Sequence, residues 1–115
     1  MVGGSELAGC PSGSEYDWYQ RASKLLESGN GAAASILFER LREIDSNPSV
    51  LEGLGRALLD AKRYVEAESV LDELVQNAPD NDYAHFALGL TLWRQQQFVP
   101  ARDHLAMAFV MKPPR

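Results

Sequence analysis

From Trp18 onward, apolar side chains return every three or four positions. Trp18, Ala22, Leu25 and Leu26 make one series, Leu51, Leu54 and Leu58 a second, and His85, Leu88 and Leu92 a third. Residues at that spacing line one face of an α-helix. A second set of series interleaves with the first: Ala34, Phe38, Leu41; Ala67, Leu71, Leu74; and Ala101, Leu105, Ala108. The strict alternation of a half-buried strand does not occur. The pattern predicts six helices, over 15–28, 31–44, 49–61, 64–77, 82–95 and 98–111. Ser28-Gly29-Asn30-Gly31 offers residues that tolerate a left-handed turn between the first two. Pro100 falls at the start of the last helix, where its missing N–H costs little.

The helices form three copies of one unit. Leu54-Gly55-Arg56-Ala57-Leu58-Leu59 is echoed 34 residues later by Leu88-Gly89-Leu90-Thr91-Leu92-Trp93. The same offset carries Tyr64-Val65-Glu66-Ala67 onto Phe98-Val99-Pro100-Ala101, Leu71 onto Leu105 and Pro79 onto Pro113. Backwards, an offset of 33 carries Gly55 onto Ala22, Ala67 onto Ala34, Leu71 onto Phe38 and Leu74 onto Leu41. Small residues stand level within each copy: Ala22, Gly55 and Gly89 on the first helices, Ala34, Ala67 and Ala101 on the second. Glycine inside a helix costs about 1 kcal/mol relative to alanine. Close approach of two antiparallel helices accounts for it, because a larger side chain would hold the backbones apart. One such pair cannot bury its own stripe, so the pairs must stack.

These residues resemble the tetratricopeptide repeat family, a helix–turn–helix of 34 residues with Trp, Leu-Gly and Tyr in its first helix, Ala, Phe and Ala in its second, and a closing Pro. Trp18, Leu54-Gly55, Leu88-Gly89, Tyr64, Ala34, Ala67, Ala101, Phe38, Ala108, Pro79 and Pro113 match that pattern or its usual substitutes. The resemblance implies an all-α fold: three helix–turn–helix units stacked as a short right-handed superhelical solenoid, with the first helices lining a concave groove. Residues 1–14 then form a flexible leader and 15–115 the repeat domain, divided near 15–47, 48–81 and 82–115. Arg21 in place of a first-helix Leu, and Ser46 in place of a closing Pro, mark copy one as the atypical, capping end. The resemblance implies a binding module and no catalysis.

Length and charge narrow the partners. The 115 residues, 45% apolar, suit one domain. Acidic residues outnumber basic ones 16 to 11, giving a net charge of −5. A compact acidic domain repels phosphate backbone, so no nucleic-acid partner is expected. The charge is uneven: residues 1–48 carry −3, residues 49–81 carry −4 and residues 82–115 carry +2. Apolar runs fall short of the roughly 18–20 residues of a membrane span, so no membrane partner is expected. The single cysteine, Cys10, excludes an internal disulfide. Leu7-Ala8-Gly9-Cys10 resembles a lipobox, which would make the protein lipid-anchored. The six residues before it contain no basic residue and Glu6 adjoins it, so a cytoplasmic location is expected instead.

If Leu51, Leu54, Gly55 and Leu58 face the core, the adjacent stripe of Ser49, Glu52, Arg56 and Leu59 faces the groove. Copy one presents Tyr16, Tyr19, Ser23 and Leu26 there, and copy three presents Tyr83, Phe86, Leu90 and Trp93, with Arg94 beside them. Aromatic clusters of that kind anchor protein interfaces. The expected function is an adaptor or scaffold that binds an apolar or amphipathic segment of another protein. The alternative is a self-associating structural subunit, a homo-oligomer formed through the groove or the last helix. In that helix Leu105, Ala108 and Phe109 are expected to pack inward, leaving Met107, Val110 and Met111 as a candidate second interface. The cationic clamp that some family members close on a chaperone's terminal carboxylate is rejected, since Tyr19, Ser23, Gly53, Tyr83 and Ala87 occupy its places.

Catalytic chemistry finds little footing. His85 sits in an apolar stripe, and the pairs Asp82/His85 and Asp103/His104 lack the further ligands a metal needs. Neither a metal, a cofactor nor an enzymatic activity is expected.

Overall fold

The structure, a computed structural model, describes residues 14–111; Cys10 and the lipobox-like tetrapeptide lie outside the described residues, as does Pro113. The first helix, α1 (Glu15–Glu27), opens on a reciprocal cap. The Asp17 N–H donates to the Ser14 hydroxyl at 3.4 Å, and the Ser14 N–H donates to the Asp17 carboxylate at 3.3 Å. Asparagine side chains start the next three capped helices by accepting an N–H one turn on. Asn30 does so for α2 (Gly31–Ile44), Asn47 for α3 (Pro48–Asp60) and Asn81 for α5 (Asp82–Arg94). The remaining two are α4 (Tyr64–Asn77) and α6 (Phe98–Met111). Each boundary falls within one residue of the sequence-based expectation, and no strand occurs among the described residues.

The turn inside each copy repeats to the residue. Gly29, Lys62 and Gln96, related by the offsets of 33 and 34, all adopt left-handed φ values of 85°, 61° and 64°. Each N–H closes back on the helix just finished: Gly29 to Leu26 O, Lys62 to Leu59 O and Gln96 to Trp93 O. The following N–H groups of Asn30, Arg63 and Gln97 reach Leu25, Leu58 and Leu92 carbonyls. This paired closure satisfies carbonyls that a helix end otherwise leaves open.

Three helical hairpins result, α1/α2, α3/α4 and α5/α6, and each packs on the next. Phe38, Leu51, Leu54, Leu58, Leu71 and Leu74 are fully buried along the shared core. Each contributes roughly 1.5–3 kcal/mol of burial. The close approach anticipated at the glycines is present: a Cβ on Gly55 would lie 2.5 Å from Leu71 Cδ2, and one on Gly89 would lie 2.7 Å from Leu105 Cγ. Successive first helices α1, α3 and α5 touch, while the second helices are set apart. Arg42 Nη2 and Glu73 Oε1, 2.6 Å apart, bridge the gap between α2 and α4. Closer spacing of the first helices puts them on the inside of the curve, in a molecule of 54 × 25 × 24 Å. One expectation fails in the last hairpin. Phe109, expected to pack inward, is 60% exposed. Its counterpart Val75 packs against the core because a further hairpin stands on the far side of α4, whereas no described helix follows α6.

Candidate functional site

Along the inner face, three hollows share walls. The first, of about 570 Å³, lies where α1 meets the start of α3 and takes in Tyr16, Tyr19, Pro48 and Ser49. Tyr19 also walls the second, of about 240 Å³, with Ser23, Leu26, Glu52, Gly53 and Arg56. Leu26 and Arg56 pass into the third, of about 440 Å³, completed by Leu59, Asp60, Lys62, Tyr64, Tyr83, Leu90 and Arg94. The shared residues make one channel across all three copies. Its floor is aromatic and aliphatic, and its walls carry charge.

The channel's side chains are fixed by their neighbours. The Tyr19 ring meets Phe38 edge-on, with centroids 5.7 Å apart at 79°. The Arg56 guanidinium lies 4.4 Å from the Tyr83 ring centroid, a cation–π contact joining α3 to α5. Glu52 stands 3.7 Å from Arg56 and also accepts from the Asn81 side chain at 3.3 Å, tying the same two helices. Burial raises the Tyr83 phenol above its ordinary range, opposed by the neighbouring Arg56 charge, so the hydroxyl stays neutral and able to donate. Lys62 and Arg94, in the third hollow, make no ion pair among the described residues.

Of the sequence-predicted groove residues, Tyr16, Tyr19, Leu26, Glu52, Arg56, Leu59, Tyr83, Leu90 and Arg94 line these hollows. Phe86 and Trp93 do not. They lie on α5 beside the channel: the Phe86 ring sits tilted at 50° to that of Tyr83 with centroids 6.5 Å apart, and Trp93 meets Phe98 edge-on at 4.7 Å. Met107, Val110 and Met111 are exposed on α6 at the places that Glu73, Gln76 and Asn77 occupy on α4. Glu73 reaches back to Arg42 on α2, so this strip belongs to the outer surface. Sequence reasoning missed the coupling of Arg56 to Tyr83, because nothing in a helical stripe says which neighbour a long side chain will lie on.

The two histidines also meet. His85 is buried and its Nε2–H donates to the Pro79 carbonyl at 2.9 Å. On its other side His85 Nδ1 lies 3.4 Å from His104 Nδ1, with the two rings stacked at a centroid distance of 5.6 Å. Burial, then the neighbouring His85, lowers the His104 pKa. Among the described residues no group of three or more His, Cys, Asp or Glu is placed to hold a metal ion.

Two tetratricopeptide repeat models match the chain, over residues 19–82 and 58–109. The chain belongs to the tetratricopeptide repeat family. No curated protein matches it. Tetratricopeptide repeats generally mediate protein–protein interaction or scaffolding, and the family is typically non-enzymatic. Among the described residues no helix is long and apolar enough to cross a membrane.

Proposed function

We propose that this tetratricopeptide repeat domain is a cytoplasmic, non-enzymatic adaptor whose inner channel, from Tyr16 to Arg94, holds an apolar or amphipathic segment of another protein. The observation carrying the reading is the continuity of the channel. Tyr19, Leu26, Leu59, Tyr83 and Leu90 stay accessible in shared hollows rather than closing on one another. Accessible aromatic and aliphatic surface in a concavity drives association when a partner's side chains displace its water. Arg94 and Lys62, without ion-pair partners at the third hollow, fix orientation by meeting a carboxylate on that segment. A lone cysteine with no partner fits a reducing compartment. The net charge of −5 argues against nucleic acid as the ligand.

Photo-crosslinking in the protein's own cell tests the reading. A photoreactive phenylalanine analogue replaces Tyr83 in the channel or Ile36, 65% exposed on α2, as the outer-surface control. The channel position is expected to give a discrete protein adduct that the Leu90→Glu substitution removes, and Ile36 to give none. Adducts of equal yield from both positions, or adducts from Ile36 alone, overturn it.

A further inference from the structure

Superimposing the three copies in sequence register shows that the two ends of the solenoid are chemically opposite. On α3 the stripe facing the preceding copy is Val50, Gly53, Leu54 and Ala57; on α5 it is Ala84, Ala87, Leu88 and Thr91. All are buried. The same register on α1 holds Asp17, Gln20, Arg21 and Lys24, all exposed. The proximal end is therefore a polar surface.

The distal end is apolar. On copy two, α5 covers a face in which Leu71 and Leu74 are completely buried. On copy three the matching Leu105 and Ala108 are only half-buried, and around them Phe86, Trp93, Phe98 and Phe109 are 48–60% exposed. Exposed aromatic side chains gathered on one face mark a surface that another molecule covers.

What covers it is constrained by two replacements. α5 is held to copy two partly through carboxylates: Glu52 accepts from Asn81 at 3.3 Å, and Glu68 accepts from Gln95 at 2.8 Å. On copy three those positions are Phe86 and Arg102, and neither side chain accepts a hydrogen bond. A further helical hairpin docked in the same manner would find neither acceptor. Head-to-tail docking of a second chain fails as well, since it would set the aromatic face against Asp17, Gln20 and Lys24. Tail-to-tail docking meets neither obstacle: rings face rings, in the offset or edge-on arrangements they prefer.

We propose that two copies of this chain pair tail to tail about a two-fold axis, through Phe86, Trp93, Phe98 and Phe109. The four half-exposed rings offer on the order of 100 Å² each, so the pair buries about 800 Å², below the roughly 1,200 Å² at which stable specific interfaces begin and within the range of weak, reversible association. The dimer dissociates at micromolar concentration and leaves the inner channel open.

Sedimentation equilibrium on the full chain from about 5 to about 500 µM reads the stoichiometry directly. The expected result is a rise from one chain mass to two and no further. Phe109→Asp, at a side chain already outside the core, is expected to hold the protein at one mass with its helical circular dichroism intact. Trp93→Gln repeats that test at a second ring, and Ile36→Asp on the outer surface is expected to leave the dimer unchanged. Three outcomes overturn the proposal: a single mass throughout the range, growth beyond two chains, or a dimer that survives both distal substitutions.

Discussion

Replacing Gly55 and Gly89 separately with alanine tests whether small residues set the helix spacing inside each hairpin. The two occupy equivalent places, and helix propensity alone favours alanine at both by about 1 kcal/mol. At Gly55 the new Cβ would lie 2.5 Å from Leu71 Cδ2 and 3.0 Å from its Cγ. Ordinary carbon contacts lie at about 3.5–4.0 Å, so Leu71 must retreat by roughly 1 Å. Leu71 is completely buried and has nowhere to go. Overpacking of that kind costs about 1–3 kcal/mol and is expected to sit in the upper part of that range here. The expected net loss for Gly55→Ala is therefore about 1–2 kcal/mol. At Gly89 the obstacles are Leu105 Cγ at 2.7 Å and the Ala101 carbonyl oxygen at 3.1 Å. Leu105 is only half-buried and can turn toward the open end, so cost and propensity nearly offset, to within about 0.5 kcal/mol. Urea denaturation of both variants beside the parent measures the difference; in heat it corresponds to about 4–8 °C per kcal/mol for a domain this size. Equal effects at the two sites, or a Gly55→Ala variant as stable as the parent, would refute the packing argument.

Two further outcomes follow from the turns and the histidines. Lys62 and Gln96 hold left-handed backbone that costs a side chain-bearing residue about 1–2 kcal/mol, so Lys62→Gly and Gln96→Gly are each expected to raise stability by about 0.5–1 kcal/mol in the same urea assay. Destabilisation by either would show that those side chains contribute more than the backbone strain removes. His104 has a lowered pKa in the folded state, so the unfolded chain takes up its proton first as pH falls. Stability from this group is complete above the ordinary histidine value of about 6.5, declines as pH drops below it, and levels off once the folded protein is also protonated. Asp72 and Asp103 face the same ring and pull the other way without reversing the sign. His104→Gln is expected to flatten the slope of stability between about pH 5 and 7; an unchanged slope would refute the assignment.

The fold was legible because each helix of the first two copies carries a single apolar stripe and the offsets of 33 and 34 repeat it. The face of α5 was not. Ala84, Phe86, Ala87, Leu88, Leu90, Leu92 and Trp93 surround most of that helix, so periodicity could not separate channel from distal end. Only stacking does so: Leu90 falls beside Leu59 and Tyr64, while Trp93 falls beside Phe98. Phe109 misled for a related reason, since it keeps the register of Val75 without the hairpin that covers Val75. The contact between His85 and His104 spans 19 residues and two helices, a separation that no local pattern encodes.

The single-file packing has a kinetic corollary. With contacts among the described residues confined to adjoining hairpins, α3/α4 alone of the described hairpins is braced on both sides, and each end opens without waiting for the other. Amide protons of α6, shielded by one neighbour alone, should be the quickest of the helical ones to trade for deuterium, and those around Leu54 and Leu71 the slowest. A molecule arranged this way comes apart like a zip from its greasy tip, with its midsection the last stretch to let go.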